Sequence, residues 1–462
     1  MSTVNRSWRL STLIILLAII LPFSVVAAEK YDLLKQQVDN LQKQLEQVQE
    51  VLKQYEEQNA SNEDLAQEVA VLREEVAQEV TNVKIDVAQA AEWKDPNTLI
   101  HLAGYADVGY SDAEKSDGSF NFGSFSPIFH FQYRDLVMLE SELEIEVDDT
   151  GETEVALEYL TIDLFATDWL TLVGGKFLSP IGQFRQNLHP SWINKLASAP
   201  PGFGHDGAAP TSEMGLQVRG GFQMGSMFAN YAAYVGNGPE LNATFEDEEF
   251  ELEGIVAEGF GKDNDGEKVF GGRIGFLPLP GLEIGISAAT GKATVTAIEL
   301  AHHGEEEPDE HGDEEPDEHD EDEEGGDEPG FAFDLSNEPA RDYDVYGFDF
   351  AWGLSNFRLR GEYVKTKVGA DDVGITASPG ASWKSWYTQA AYMIPRTKWE
   401  PVLRYTDFDS PHSSQDQKQW AVGLNYLFSA SVIGKFTYEF NDGEEHSEAD
   451  VNRWMLQLAY GF

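Results

Sequence analysis

The 462-residue sequence contains no cysteine. That excludes disulfides and thiolate metal centres, so any metal must be held by imidazole or carboxylate. Long apolar runs are missing too. After the stretch from Leu13 to Leu21, nothing approaches the roughly 20 apolar residues that a membrane-crossing helix needs. Positive charge is scarce: 31 Lys and Arg stand against 82 Asp and Glu, a formal net charge of -51. Such a balance argues against nucleic acid and against anionic surfaces as partners. There is no Gly-rich phosphate loop of Walker spacing and no nucleophile, base and orienting acid at related positions, so the chain does not read as an enzyme.

What is present falls into three materials. Arg6 and Arg9, the apolar stretch and the small residues Val26-Ala27-Ala28 form the pattern of a cleavable secretory signal over residues 1–28. Residues 29–95 are rich in Gln, Glu, Val and Leu. Within them Leu34, Val38, Leu41, Leu45, Val48, Leu52 and Tyr55 step by four and three, the seam of a helical coiled coil. A second seam, Leu65, Val69, Leu72, Val76, Val80, Val83 and Val87, follows after Asn59-Ala60-Ser61-Asn62 breaks the phase. An oligomeric coil and a hairpin of two amphipathic helices both fit this pattern.

From residue 96 to the end the period becomes two. The last strand shows it most clearly. Trp454, Leu456, Leu458, Tyr460 and Phe462 share one face, while Arg453, Met455, Gln457, Ala459 and Gly461 take the other. Such a strand suits lipid on one side and water on the other. The spacing predicts sixteen strands, at 98–110, 120–133, 136–147, 153–165, 169–178, 213–223, 227–235, 268–277, 282–290, 343–352, 356–366, 384–394, 398–408, 418–428, 431–441 and 451–462. Connections alternate between short and long, as turns and external loops do in outer-membrane barrels. The expected fold is therefore an all-β transmembrane barrel of about sixteen antiparallel strands, with the helical coil on the periplasmic side and outer-membrane lipid as its solvent.

Period-two parity sorts the charges. On 139–147 the apolar residues face one way, which puts Glu140, Glu142, Glu144 and Glu146 on the other, about 6.6 Å apart by strand rise. These should form an acidic ladder inside a pore, joined by Glu154 and Glu158. The same rule supplies Arg219, Arg273, Arg358, Arg360, Arg404 and Lys435 as inward cations on other strands. Acidic and basic walls that face each other favour polar solutes over apolar ones.

Two long connections stand out. The third, 179–212, mixes Pro180, Phe184, Leu188, Trp192, Ile193, Leu196 and Phe203 with Arg185, His189, Lys195 and His205. Apolar residues that need burial and cations that need partners predict a loop folded into the lumen; a lid or a subunit-contact loop are the alternatives. Lys176, Arg185, His189 and Lys195 are the expected constriction residues, with Glu140, Glu142 and Glu144 opposite. The fifth connection, 291–342, repeats Glu306-Glu307-Pro308-Asp309-Glu310-His311 as Glu314-Glu315-Pro316-Asp317-Glu318-His319. Its imidazoles, His302, His303, His311 and His319, suit Zn²⁺, and its dense carboxylates suit Ca²⁺, although a merely solvated acidic loop fits as well. No cofactor is required.

Several segments resemble Gram-negative porins of the phosphate-selective porin O/P type: Gly174-Gly175-Lys176-Phe177-Leu178-Ser179-Pro180-Ile181-Gly182, Trp399-Glu400-Pro401-Val402-Leu403-Arg404-Tyr405, Gly423-Leu424-Asn425-Tyr426 and the terminal Phe462. With the preceding coil, the likeness spans residues 30–462. It implies a homotrimer of sixteen-stranded pores with the third loop turned inward. A phosphate pathway needs a run of basic residues, and here glutamates occupy one wall. The expected function is thus passive, general or cation-favouring diffusion of small hydrophilic solutes or ions. Two other roles remain open at this point: zinc capture and uptake by the His/acidic loop, and tethering of the cell envelope through the coil.

Overall fold

The structure is a computed structural model that describes residues 98–462 apart from 115, 148–150, 205–206, 247–248, 258–262, 264–265, 301–334, 336–337 and 446. The expected signal, the coil of 29–95 and the four loop histidines therefore lie outside the described residues. Among the described residues no helix is long and apolar enough to cross a membrane. Among the described residues there are eighteen strands. They are β1 (Thr98–Ala113), β2 (Ser119–Tyr133), β3 (Val137–Val147), β4 (Thr153–Thr167), β5 (Leu170–Leu178), β6 (Ser212–Met224), β7 (Met227–Gly236), β8 (Pro239–Glu246) and β9 (Glu249–Ala257). Then come β10 (Val269–Leu279), β11 (Leu282–Leu300), β12 (Arg341–Leu354), β13 (Phe357–Val368), β14 (Ala381–Tyr392), β15 (Trp399–Asp409), β16 (Gln417–Leu427), β17 (Val432–Gly443) and β18 (Arg453–Gly461).

Sixteen of these close into a ring. Each strand pairs with its neighbour in sequence, β7 pairs with β10 across the inserted β8 and β9, and β18 returns to β1. Closure satisfies every strand edge without water, which is the condition for a sheet to stand in hydrocarbon. Residues at the short turns adopt the left-handed conformations that tight hairpins demand, Arg134 at φ 51° and Ser355 at φ 53° among them. The sixteen expected strands correspond to the sixteen of the ring.

Two expectations for the long connections are corrected. The segment after β7 is not a plain loop, because β8 and β9 form an antiparallel hairpin inside it. Strand β11 continues ten residues beyond its expected end and pairs in parallel with β8. Together they make a small sheet above the ring, with Leu241, Ala243, Leu252, Ala293 and Val295 buried in it. The fifth connection accordingly begins after Leu300 rather than at 291.

The ring shows an apolar outside and a polar inside. Leu216, Phe270, Ile286, Leu456 and Leu458 are all exposed on the outer face, while Gln457, Ala459 and Met455 of β18 point inward and are buried. Aromatic rings gather in two bands outside. Trp399, Tyr426 and Phe428 lie toward the short turns, and Trp386, Tyr405 and Trp420 lie toward the long loops. Two such girdles mark the two interfaces of a membrane.

Candidate functional site: the lumen and its inward loop

Residues 179–211 leave β5 and cross the interior to the wall made by β13 to β17. The path begins at Gly182, whose φ of +76° and contact with the Glu362 side chain leave no room for a Cβ. A single π-helical turn, Phe184–Leu188, follows. Apolar burial drives the crossing: Ile181, Phe184, Leu196 and Phe203 are at most 3 % exposed. Phe203 packs edge-on against Tyr387 of β14 at 5.1 Å between ring centroids. Each such side chain buried contributes roughly 1.5–3 kcal/mol toward holding the loop inside.

Polar groups of the wall then satisfy the loop backbone. Arg404 donates to the carbonyls of Ser198 (3.0 Å) and Ala199 (3.1 Å). Ser385 donates to Pro201 O at 2.7 Å, Asn425 to Lys195 O at 2.9 Å and Lys435 to Leu196 O at 3.2 Å. Side chains of the wall thus tie the loop backbone to the barrel at several points.

This placement corrects two expected pore residues. Arg404 does point inward, yet it is fully covered by the loop, with Glu439 at 3.7 Å and Gln419 at 2.8 Å; its role in the structure is to hold the loop. Lys176 faces the other way. On β5 the buried Val173 and Phe177 point inward, whereas Lys176 stands opposite Leu160 and Met214, which share the outer face, and its Nζ donates to Leu157 O at 2.8 Å. The alternation of β5 decides this, since opposite residues of an antiparallel pair share a face.

Of the remaining expected residues, Arg185, His189 and Glu142 come together in the interior. Arg185, from the loop, lies 3.6 Å from Glu158 of β4. His189 donates through Nδ1 to Arg185 O and turns its other nitrogen toward Glu142, 3.8 Å away. Glu142 also accepts from Tyr105 at 2.7 Å. A β-bulge between Glu142 and Leu143 sets both Glu158 and Tyr159 of β4 on the inner side. On the long-loop side of this cluster lies a cavity of about 270 Å³ reaching Glu144, Glu146, Arg185 and His189. On the short-turn side lies one of about 240 Å³ reaching Glu140, Glu142, His189 and Arg219. Arg185, His189 and Glu142 therefore lie between or beside the two cavities. Lys195 pairs with Glu400 at 3.0 Å beside a further cavity of about 1070 Å³, which also reaches Arg358 and Arg360.

The charges are distributed unevenly. Arg219 pairs with Asp163, and Arg273 donates to Asp349 and Glu283, so these cations are neutralised by carboxylates. Glu140 and Glu142 have histidine and tyrosine partners instead. Opposite them, Arg358 and Arg360 form no salt bridge among the described residues; Arg360 meets the Gln389 amide, whose oxygen, turned toward it, accepts at 3.3 Å. In ring order β3 is third and β13 eleventh of sixteen, so the acidic wall and the Arg358/Arg360 wall are eight strands apart, on opposite sides. The tie between Glu362 and the start of the loop was invisible to sequence reasoning; an acidic residue amid inward positions was the available signal.

The family model for phosphate-selective porin O and P matches residues 330–462. That stretch contains β12 to β18 and two of the quoted motifs, Trp399 to Tyr405 and Gly423 to Tyr426. No curated protein matches the chain. Among solved structures, the anion-selective porin from Comamonas acidovorans is 13% identical, with a TM-score of 0.49 over 79% of this chain and 100% of its own. Salmonella typhi OmpF, in complex with daunomycin, is 12% identical, with a TM-score of 0.48 over 79% and 98%. The outer membrane channel DcaP of Acinetobacter baumannii is 10% identical, with a TM-score of 0.45 over 80% and 98%.

Proposed function

We propose that the protein is an outer-membrane porin for passive diffusion of small hydrophilic solutes or ions, with a preference for cations. One observation carries the reading: a closed sixteen-stranded ring, apolar outside, whose third loop crosses a polar interior. The family match over 330–462 supports it. The cavities on either side of Arg185, His189 and Glu142 support reading that level as the constriction. Cation preference rests on the pairing pattern, since carboxylates silence Arg219 and Arg273 while Glu140 and Glu142 keep partners that are neutral or titratable. A fixed negative wall in a narrow, water-poor passage raises the local concentration of cations.

On this reading the short turns face the periplasm, residues 29–95 form a periplasmic coil, and three copies assemble, as the porin resemblance implies. Single-channel recording in planar bilayers tests the function. The expected record shows discrete steps and a reversal potential in a KCl gradient that favours K⁺. Absence of steps from a correctly folded, heat-modifiable barrel would remove the porin reading, and a reversal potential favouring Cl⁻ would remove the cation preference.

A further inference from the structure

Near the short-turn end of the lumen, His101 of β1 and His130 of the adjacent β2 face each other. Their Nδ1 atoms are 3.3 Å apart, and the two rings are nearly parallel, 14° between planes and 5.5 Å between centroids. The nitrogens are thus the nearest edges of the pair. His130 is held from behind: its Nε2 lies 3.1 Å from Glu140 Oε1, the residue directly opposite it on β3. Tyr159 donates to the same carboxylate oxygen at 3.4 Å.

A carboxylate at Nε2 keeps the proton on that nitrogen. The Nδ1 lone pair of His130 is then aimed at Nδ1 of His101, a contact that either a shared proton or a metal ion can bridge. A carboxylate behind a ligating imidazole is the arrangement that fixes tautomer and ring orientation in metal sites. The gap fits as well, because two nitrogens at about 2.0–2.1 Å from a tetrahedral ion stand roughly 3.3–3.4 Å apart. A small rotation of the exposed His101 ring would bring both lone pairs onto one point beside the line that joins them.

We propose that His101 and His130 form a binding site for a borderline divalent cation of the Zn²⁺, Ni²⁺ and Cu²⁺ class. Glu140 is the positioning residue behind His130. No group of three or more His, Asp or Glu side chains gathers suitably among the described residues, so water completes the coordination shell. Two neutral imidazoles select against Mg²⁺ and Ca²⁺, which want oxygen ligands. An ion here adds positive charge beside Glu140 and weakens the attraction of the acidic wall for cations. That consequence rests on the porin reading, whereas the binding itself does not.

The test is zinc titration by calorimetry on the full chain in detergent, in a background carrying His302→Ala, His303→Ala, His311→Ala and His319→Ala to remove the loop imidazoles. One saturable Zn²⁺ per chain is expected, lost in His101→Ala and in His130→Ala, while both variants keep the heat-modifiable migration of a folded barrel. Glu140→Gln should bind about 10- to 100-fold more weakly, since it removes only the orienting carboxylate. Unchanged Zn²⁺ stoichiometry in folded His101→Ala and His130→Ala, or no binding by the background protein, overturns the site. Because the readout is binding and not current, a failed conductance experiment leaves this result standing.

Discussion

Glu362 of β13 accepts the backbone N–H of Phe184 at 3.1 Å, joining the inward loop to a strand 178 residues later in the chain. The same oxygen accepts the N–H of Gln183 at 3.2 Å. A buried carboxylate thereby caps the start of a segment whose amide donors would otherwise be unsatisfied, in a wall where water cannot replace it.

Glu362→Ala should free the first turn of the loop. Two hydrogen bonds to a buried side-chain acceptor are lost, each contributing roughly 0.5–1.5 kcal/mol, so the crossing segment should fluctuate while the ring stays closed. Single-channel current from this variant is expected to become noisier with larger open steps. A quiet trace at the parental conductance would show that the cap does not restrain the loop.

Arg404→Ala should be the more damaging change. It removes three hydrogen bonds from a charged donor to the loop, each contributing roughly 1.5–3 kcal/mol, while Glu439 keeps its bond from Arg453 at 2.6 Å. Arg404→Lys should recover little, because one ammonium cannot serve Ser198, Ala199 and Gln419 in the fork geometry of a guanidinium. Thermal unfolding in detergent, followed by heat-modifiable migration, should show both variants melting well below the parent.

The two opposed walls should move selectivity in opposite directions. Glu140→Gln with Glu142→Gln should lower the K⁺ preference, and Arg358→Gln with Arg360→Gln should raise it. Reversal potentials in a KCl gradient measure both. Equal shifts of the same sign would refute the transverse charge arrangement as the determinant.

The outer face admits a direct check through Leu456, exposed near the middle of β18. Leu456→Arg should destabilise refolding into lipid vesicles by about 2–4 kcal/mol, the usual burden of a cation near the bilayer midplane. Leu456→Phe, which stays apolar, should refold as the parent does. An arginine tolerated without loss would place this face against water or protein instead of lipid.

Much of the ring was legible because strand parity is a local property. Alternation at Leu456, Gln457 and Leu458 tells inside from outside without knowledge of any other strand, and the same holds for Glu140, Glu142, Arg219 and Arg273. Lys176 departs from the expected inward direction for a related reason. Its neighbours Gly174 and Gly175 carry no side chain to set the phase, and Gly175, at φ 130°, leans on the Leu160 carbonyl, where a Cβ would not fit. Strands β8 and β9 carry no local signal, because their acidic composition resembles a solvated loop; the pairing that orders them comes from β11, some fifty residues away.

The sequence by itself determined the class of molecule. A period of two, the absence of an apolar run long enough for a helix beyond the first residues, and the alternation of short and long connections leave few arrangements other than a closed barrel, because hydrocarbon tolerates no open sheet edge. What only the tertiary structure decided is the fate of individual charges. Arg404 and Arg358 have the same parity, yet one is sealed beneath the loop and the other borders a cavity. That difference arises from where residues 179–211 come to rest, and their partners on β13 to β17 lie between about 150 and 250 positions away in the chain, a distance at which no local pattern carries information.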